Sequence, residues 1–149
     1  MYKGKWIRNG RKDFTETISF TTKSRNDWRI TIICRKAGVV TTPYLVWYNK
    51  IGITACSISE MYENTPLLFF NTHFFKRYKE RGKVDIEKPE DVVKFFFKKN
   101  IHFTPCYEPR EDGIPQLFIP VNGGVGLGNY YLETDICEFK TFVDNGLLR

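Results

Sequence analysis

The residues best equipped for chemistry fall on one short segment. His73, Arg77 and Arg81 stand four apart in Thr72-His73-Phe74-Phe75-Lys76-Arg77-Tyr78-Lys79-Glu80-Arg81-Gly82. A helix turns ~100° per residue, so residues four apart drift by only ~40° and form a stripe. Phe74, Phe75 and Tyr78 make an apolar face beside that stripe, which places it where the helix meets core or cleft. An imidazole can accept a proton, and a guanidinium can hold a phosphate bidentately. These are the groups needed to activate an RNA 2′-hydroxyl and to stabilise charge developing on phosphate. A plainer reading uses the same residues. Arg77 and Glu80 are spaced for an ordinary helix pair, His73 satisfies a local hydrogen bond, and arginine stems cover aromatic faces.

The segment H-x3-R-x3-R-G, within residues 72–82, resembles the helix motif of small toxin-like and phage-associated domains of the barnase–EndoU–colicin–RelE group. The loose order of helices before an antiparallel sheet is similar as well. Many members of that group cleave RNA without a metal. The resemblance implies that His73 is the acid/base residue and that Arg77 and Arg81 bind phosphate. It also implies that a late-strand residue, Lys140 or Thr141, completes the site.

Other motifs are weaker. Gly123-Gly124-Val125-Gly126-Leu127-Gly128 looks like a phosphate loop, but it lacks a Gly-Lys-Ser/Thr ending and precedes a strand. A phosphate loop needs a helix N-terminus there, so Asn122-Gly123 reads as a hairpin turn, with a bulge or close backbone approach at Gly126 and Gly128. Glu108, Glu111 and Asp112 cluster with Pro109 and Gly113 as a solvated turn. His102 and Cys106 are spaced H-x3-C without a second ligand pair, so no metal is expected, and no motif calls for a cofactor. Cys34, Cys56, Cys106 and Cys137 are scattered and read as reduced thiols.

Charge is distributed unevenly. The chain of 149 residues carries net +6. Residues 1–50 hold 11 Lys/Arg against 3 Asp/Glu, residues 51–100 hold 9 against 7, and residues 101–149 hold 3 against 7. A basic N-terminal third attracts phosphate. Lys3, Lys5, Arg8, Arg11 and Lys12, together with Lys140 from the last third, are the candidate contacts to RNA or another nucleic acid. Trp6, Trp28, Trp47 and Tyr48 interleave with these cations and offer stacking platforms. Two rivals to an RNA-cleaving enzyme follow. One is a non-catalytic nucleic-acid-binding module, and the other a structural or protein-interaction domain of a phage or mobile element. With no apolar run long enough for a bilayer and no secretory h-region, the expected compartment is the cytoplasm.

The positioning elements can be read from periodicity. Strands are expected around residues 15–20 and 27–34, with a hairpin of residues 44–48 and 51–56 about Asn49-Lys50. Residues 67–70 fit either helix or a short buried strand. A helix over 72–81 has Thr72 available as cap and Gly82 as a left-handed stop. A second, over 89–99, starts at Pro89 with Glu90 and Asp91 at its positive end. Strands follow at 116–121, 125–132 and 136–143, and His102 is read as opening another. The order implies one α+β domain over residues 1–149, a mainly antiparallel sheet with two mid-chain helices, and not a doubly wound parallel sheet.

Overall fold

Alternation of β-branched and aromatic residues sets most of the strands. The computed structural model describes residues 1–57 and 66–146. Its elements in chain order are α1 (Tyr2–Arg8), β1 (Phe14–Thr21), β2 (Asp27–Arg35), β3 (Gly38–Tyr48), β4 (Ile53–Ser57) and β5 (Leu67–Phe70). They continue with α2 (Thr72–Arg81), α3 (Pro89–Lys99), β6 (Cys106–Glu108), β7 (Gln116–Val121), β8 (Gly124–Tyr131) and β9 (Ile136–Asp144). All strands join one nine-stranded sheet in the order β1-β2-β3-β4-β5-β9-β8-β7-β6. Every pairing is antiparallel except β5 with β9, which is parallel. The fold is α+β.

Side chains alternate across the sheet, so each face can be assigned from register. On one face, Tyr44, Val46, Ala55, Leu68, Phe70, Cys137 and Phe139 lie under α2 and α3 and form the main core. Tyr44 stacks on Phe97 of α3 at 3.9 Å between centroids, and Phe70 meets Phe74, Phe96 and Phe139 at 5.0–5.1 Å. The glycines of β8 lie on this same face. A Cβ at Gly126 would come within 2.7 Å of Ile119 and 3.1 Å of Phe74, so the bare backbone lets α2 sit close. The register shifts between Leu127 and Gly128, which pair with Thr141 and Phe139. That shift leaves Lys140 as the extra residue of a bulge, and lets Phe139 and Phe142 both face the helices.

The opposite face carries α1 at one end; Phe20 and Trp47 are exposed on it, while Thr54 and Cys56 are buried. Cys34, buried on this face, donates its thiol to the Tyr2 carbonyl at 3.6 Å, and Lys5 bonds Glu16 of β1 at 3.1 Å. We call it the open face.

Four local expectations are corrected. The cap of α2 is Asn71, whose Oδ1 accepts from the Phe74 N–H at 2.9 Å, while Thr72 turns inward and donates to the Ile53 carbonyl. Gly82 ends α2 in a right-handed conformation, with φ −77°, and the left-handed stop falls on the next residue, Lys83, at φ 52°, where the Val84 N–H donates to the Lys79 carbonyl at 3.1 Å. Residues 67–70, which fitted either helix or strand, form the strand β5. His102 lies in an irregular segment, and Glu108 ends the short strand β6 rather than standing in a turn. The helix α1 was not anticipated. Among the described residues, no helix is long and apolar enough to cross a membrane.

Candidate functional site

The stripe on α2 forms a hydrogen-bonded chain along the helix surface. His73 lies one residue beyond the first turn's buried Thr72 and is exposed. Arg77 Nε donates to His73 Nε2 at 3.4 Å, and Arg77 Nη1 reaches Glu80 Oε2 at 2.9 Å. Arg81 turns the other way and donates Nη1 to the Phe142 carbonyl at 2.7 Å, which ties the C-terminal turn of α2 to β9. His73 and Arg81 are thus about 12 Å apart along the helix axis, at 1.5 Å per residue. Both guanidinium groups already have partners within the chain.

A cavity of about 500 Å³ opens beside Arg81, between the α2–α3 connection and the ends of β8 and β9. Lys83, Asp85, Asn122 and Asp144 stand on its rim, and Tyr78 and Phe95 contribute apolar wall. It takes in Arg81 and neither His73 nor Arg77. Thr141 pairs with Leu127, whose neighbour Gly126 faces α2, so Thr141 projects from the open face. Lys140 likewise reaches Tyr131 on the open face, with its Nζ 3.3 Å from the phenol oxygen and 3.8 Å from Glu138. The sheet therefore separates Thr141 and Lys140 from the α2 stripe.

Among the described residues, no three His, Cys, Asp or Glu side chains gather closely enough to hold a metal ion. The four cysteines are free thiols, and burial pushes those of Cys56 and Cys137 up to about 11.

Aromatic side chains and cations share the open face. Register aligns Phe20 of β1, Trp28 of β2, Leu45 of β3, Cys56 of β4 and Phe69 of β5 in one transverse row. Strands lie ~4.8 Å apart, so this row spans roughly 19 Å. Trp47 packs edge-on against Phe69 at 5.1 Å. Phe20 is 60% exposed, Ile18 42% and Trp47 37%. At the opposite ends of β1 and β2, over Cys34 and Glu16, α1 brings Lys3, Lys5 and Arg8 to the same face, and the turn after it brings Arg11 and Lys12.

Electrostatics sharpen that margin. The three acids of residues 1–50 are all engaged: Asp13 by Trp6, Glu16 by Lys5 and Asp27 by Thr21. Of the eleven Lys and Arg in the same stretch, only Lys5 and Arg29 are ion-paired among the described residues. Lys3, Arg8, Arg11 and Lys12 are left to solvent. Not every aromatic expected here takes part. Tyr48 faces the helices and donates to Glu90 at 3.0 Å, and Trp6 stays on α1.

Sequence reasoning missed Phe20 and Phe69 as surface aromatics. For Phe69 the signal was present, since its neighbours Leu68 and Phe70 are core, whereas Phe20 stands between exposed Ser19 and Thr21. Comparison with family models, with curated proteins and with solved structures finds no match to this chain.

Proposed function

We propose that this protein binds single-stranded nucleic acid across the open face, as a non-catalytic cytoplasmic module. One observation carries the reading: the row Phe20–Trp28–Phe69 with Trp47 beside it shares its face with the unpaired cations of α1 and its following turn, which lie towards the other ends of β1 and β2. Bases of any sequence can stack on exposed rings, and lysines and arginines draw in the phosphates between them. An open sheet face suits an unpaired strand, whose bases are free to splay out, better than a duplex, whose bases are stacked inside. The test is fluorescence anisotropy with a labelled oligonucleotide of about ten nucleotides, within the site size of single-strand binding folds. Binding to the single strand is expected to exceed binding to the matching duplex and to fall steeply with salt, as released counterions drive it. Equal affinity for both forms, or affinity indifferent to salt, would overturn the reading.

Metal-independent RNA cleavage centred on His73 is the second reading. It is favoured by the Arg77–His73 hydrogen bond, which keeps a guanidinium beside an exposed imidazole. Against it stands the dispersal of the other expected groups, with Arg81 bonded to the Phe142 carbonyl and Thr141 across the sheet.

A further inference from the structure

The two edges of the sheet are built differently. The edge strand β6 is three residues long, with Pro105 immediately before it and Pro109 immediately after. Short, proline-flanked edges resist pairing with another chain. The other edge, β1, has eight residues, no proline, no glycine and one charged side chain, Glu16. It pairs with β2 without a register break from Phe14 to Thr21. Its outer side meets no other strand among the described residues. Such an edge is a template for strand addition.

The sequence of β1 selects the partner. Read outward from Thr17, Phe14-Thr15-Glu16-Thr17-Ile18-Ser19-Phe20 is close to a palindrome. We propose that two copies of this chain pair antiparallel through β1, with Thr17 of one copy opposite Thr17 of the other on a two-fold axis. In that register, Thr15 of each copy faces Ser19 of the other on the helix side of the sheet. Phe14 faces Phe20 on the open side, and Glu16 faces Ile18. Hydroxyl–hydroxyl and aromatic pairs opposite one another stabilise antiparallel strands. A two-fold contact needs a self-complementary patch, which a foreign peptide has no reason to match.

A second observation points the same way. Thr17 Oγ1 is buried and has no hydrogen-bond partner within the described chain. Across the proposed axis, it meets the same hydroxyl of the second copy. Phe20, the most exposed aromatic of the open-face row, gains a ring neighbour. The joined sheets place both α1 helices on the open face near the two-fold axis, over the Glu16 and Cys34 ends of β1 and β2.

The experiment is sedimentation velocity on the full chain without nucleic acid, so its outcome is separate from that of the binding reading. One strand pair is a small interface, so a dissociation constant of roughly micromolar order is expected. The wild type is expected to reach twice the 17.6 kDa of one chain as concentration rises. The double variant Thr15→Lys/Ser19→Lys sets lysine against lysine twice and is expected to weaken the dimer at least tenfold. Thr15→Glu/Ser19→Lys sets glutamate against lysine twice in this register and is expected to restore the dimer. Both variants carry the same lysine beside Arg29 on β2, so any folding cost of that lysine is shared, and circular dichroism checks it. A wild type that stays monomeric up to roughly 100 μM overturns the proposal. So does a dimer indifferent to the lysine pair, or one not restored by the glutamate–lysine pair.

Discussion

Arg29 on β2 and Glu90 in the first turn of α3 meet at 3.0 Å, joining the sheet to the helix layer. Tyr48 donates to the other carboxylate oxygen of Glu90 at 3.0 Å, and Lys94 approaches from the next turn at 3.9 Å. Arg29 is largely buried, with 12% of its side chain exposed, whereas Glu90 keeps 37%. The hydrogen bond from Arg29 holds the Glu90 carboxyl below its ordinary value, despite some opposing desolvation.

The sign of the resulting pH dependence follows from that depression. A carboxylate with a lowered folded-state pKa contributes stability above its unfolded value, and that contribution disappears as pH falls through the folded value. The loss therefore begins near the ordinary value of 4.5 and grows below it. Glu90→Gln is expected to cost about 1–2 kcal/mol at pH 7, since water screens the exposed carboxylate end while Arg29 loses its counter-charge. That corresponds to a Tm lowered by roughly 2–8 °C, and the difference from wild type is expected to vanish in acid. Thermal melts at a series of pH values check both statements. A difference that persists unchanged to low pH contradicts them.

Packing at Gly126 makes a prediction independent of function. Its Cβ position is closed by Ile119 and Phe74, the latter at the centre of the α2–sheet contact. Gly126→Ala is expected to destabilise by about 1–3 kcal/mol, the range for overpacked cores. Urea unfolding measures this, and an unchanged midpoint contradicts it.

On the open face, rings and charges are expected to behave differently. Trp28→Ala removes a stacking surface worth about 1–3 kcal/mol, so affinity for a single strand falls roughly fivefold to a hundredfold. Reversing Arg11 and Lys12 to glutamate weakens binding more evenly across sequences and flattens the salt dependence. Lys5 is already paired with Glu16, so its loss is expected to matter less than that of Arg8. Titrations at two salt concentrations separate the three classes.

His73 distinguishes the two functional readings. His73→Ala is expected to leave single-strand affinity within about twofold of wild type, because the residue lies across the sheet from the stacking row. If cleavage is the true activity, the same change lowers it by about a hundredfold or more. Single-turnover assays on labelled RNA, run beside the affinity measurement and a melting curve, decide between these outcomes.

How much of this was legible differs by element. The helices over 72–81 and 89–99 are found at those limits, because both carry a strong apolar face and Pro89 fixes the start of the second. Asn122-Gly123 gave the β7–β8 turn, where Gly123 takes φ +87°. By contrast, α1 has no acidic first turn, no side-chain cap and no buried residue. It is held by tertiary contacts at Cys34 and Glu16, which local pattern does not encode. The parallel pairing of β5 with β9 joins strands far apart in the chain, and depends on both helices packing on one face. The α2 stripe was legible as a stripe, and so was its Arg77–Glu80 pair, but spacing alone does not reveal that the Phe142 carbonyl takes the Arg81 guanidinium. The opposite assignment of Lys140 and Thr141 turns on one bulge, which shifts which late-strand residues face the helices.

Photocrosslinking of a thiouridine-bearing single-stranded RNA, followed by mass-spectrometric mapping of the attached peptides, tests the central claim most directly. Crosslinks are expected on β1, β2, β3 and β5, at or beside Phe20, Trp28, Trp47 and Phe69, with Trp28→Ala depleting them. Crosslinks confined to α2 and the cavity beside Arg81, with the open face untouched, would contradict it.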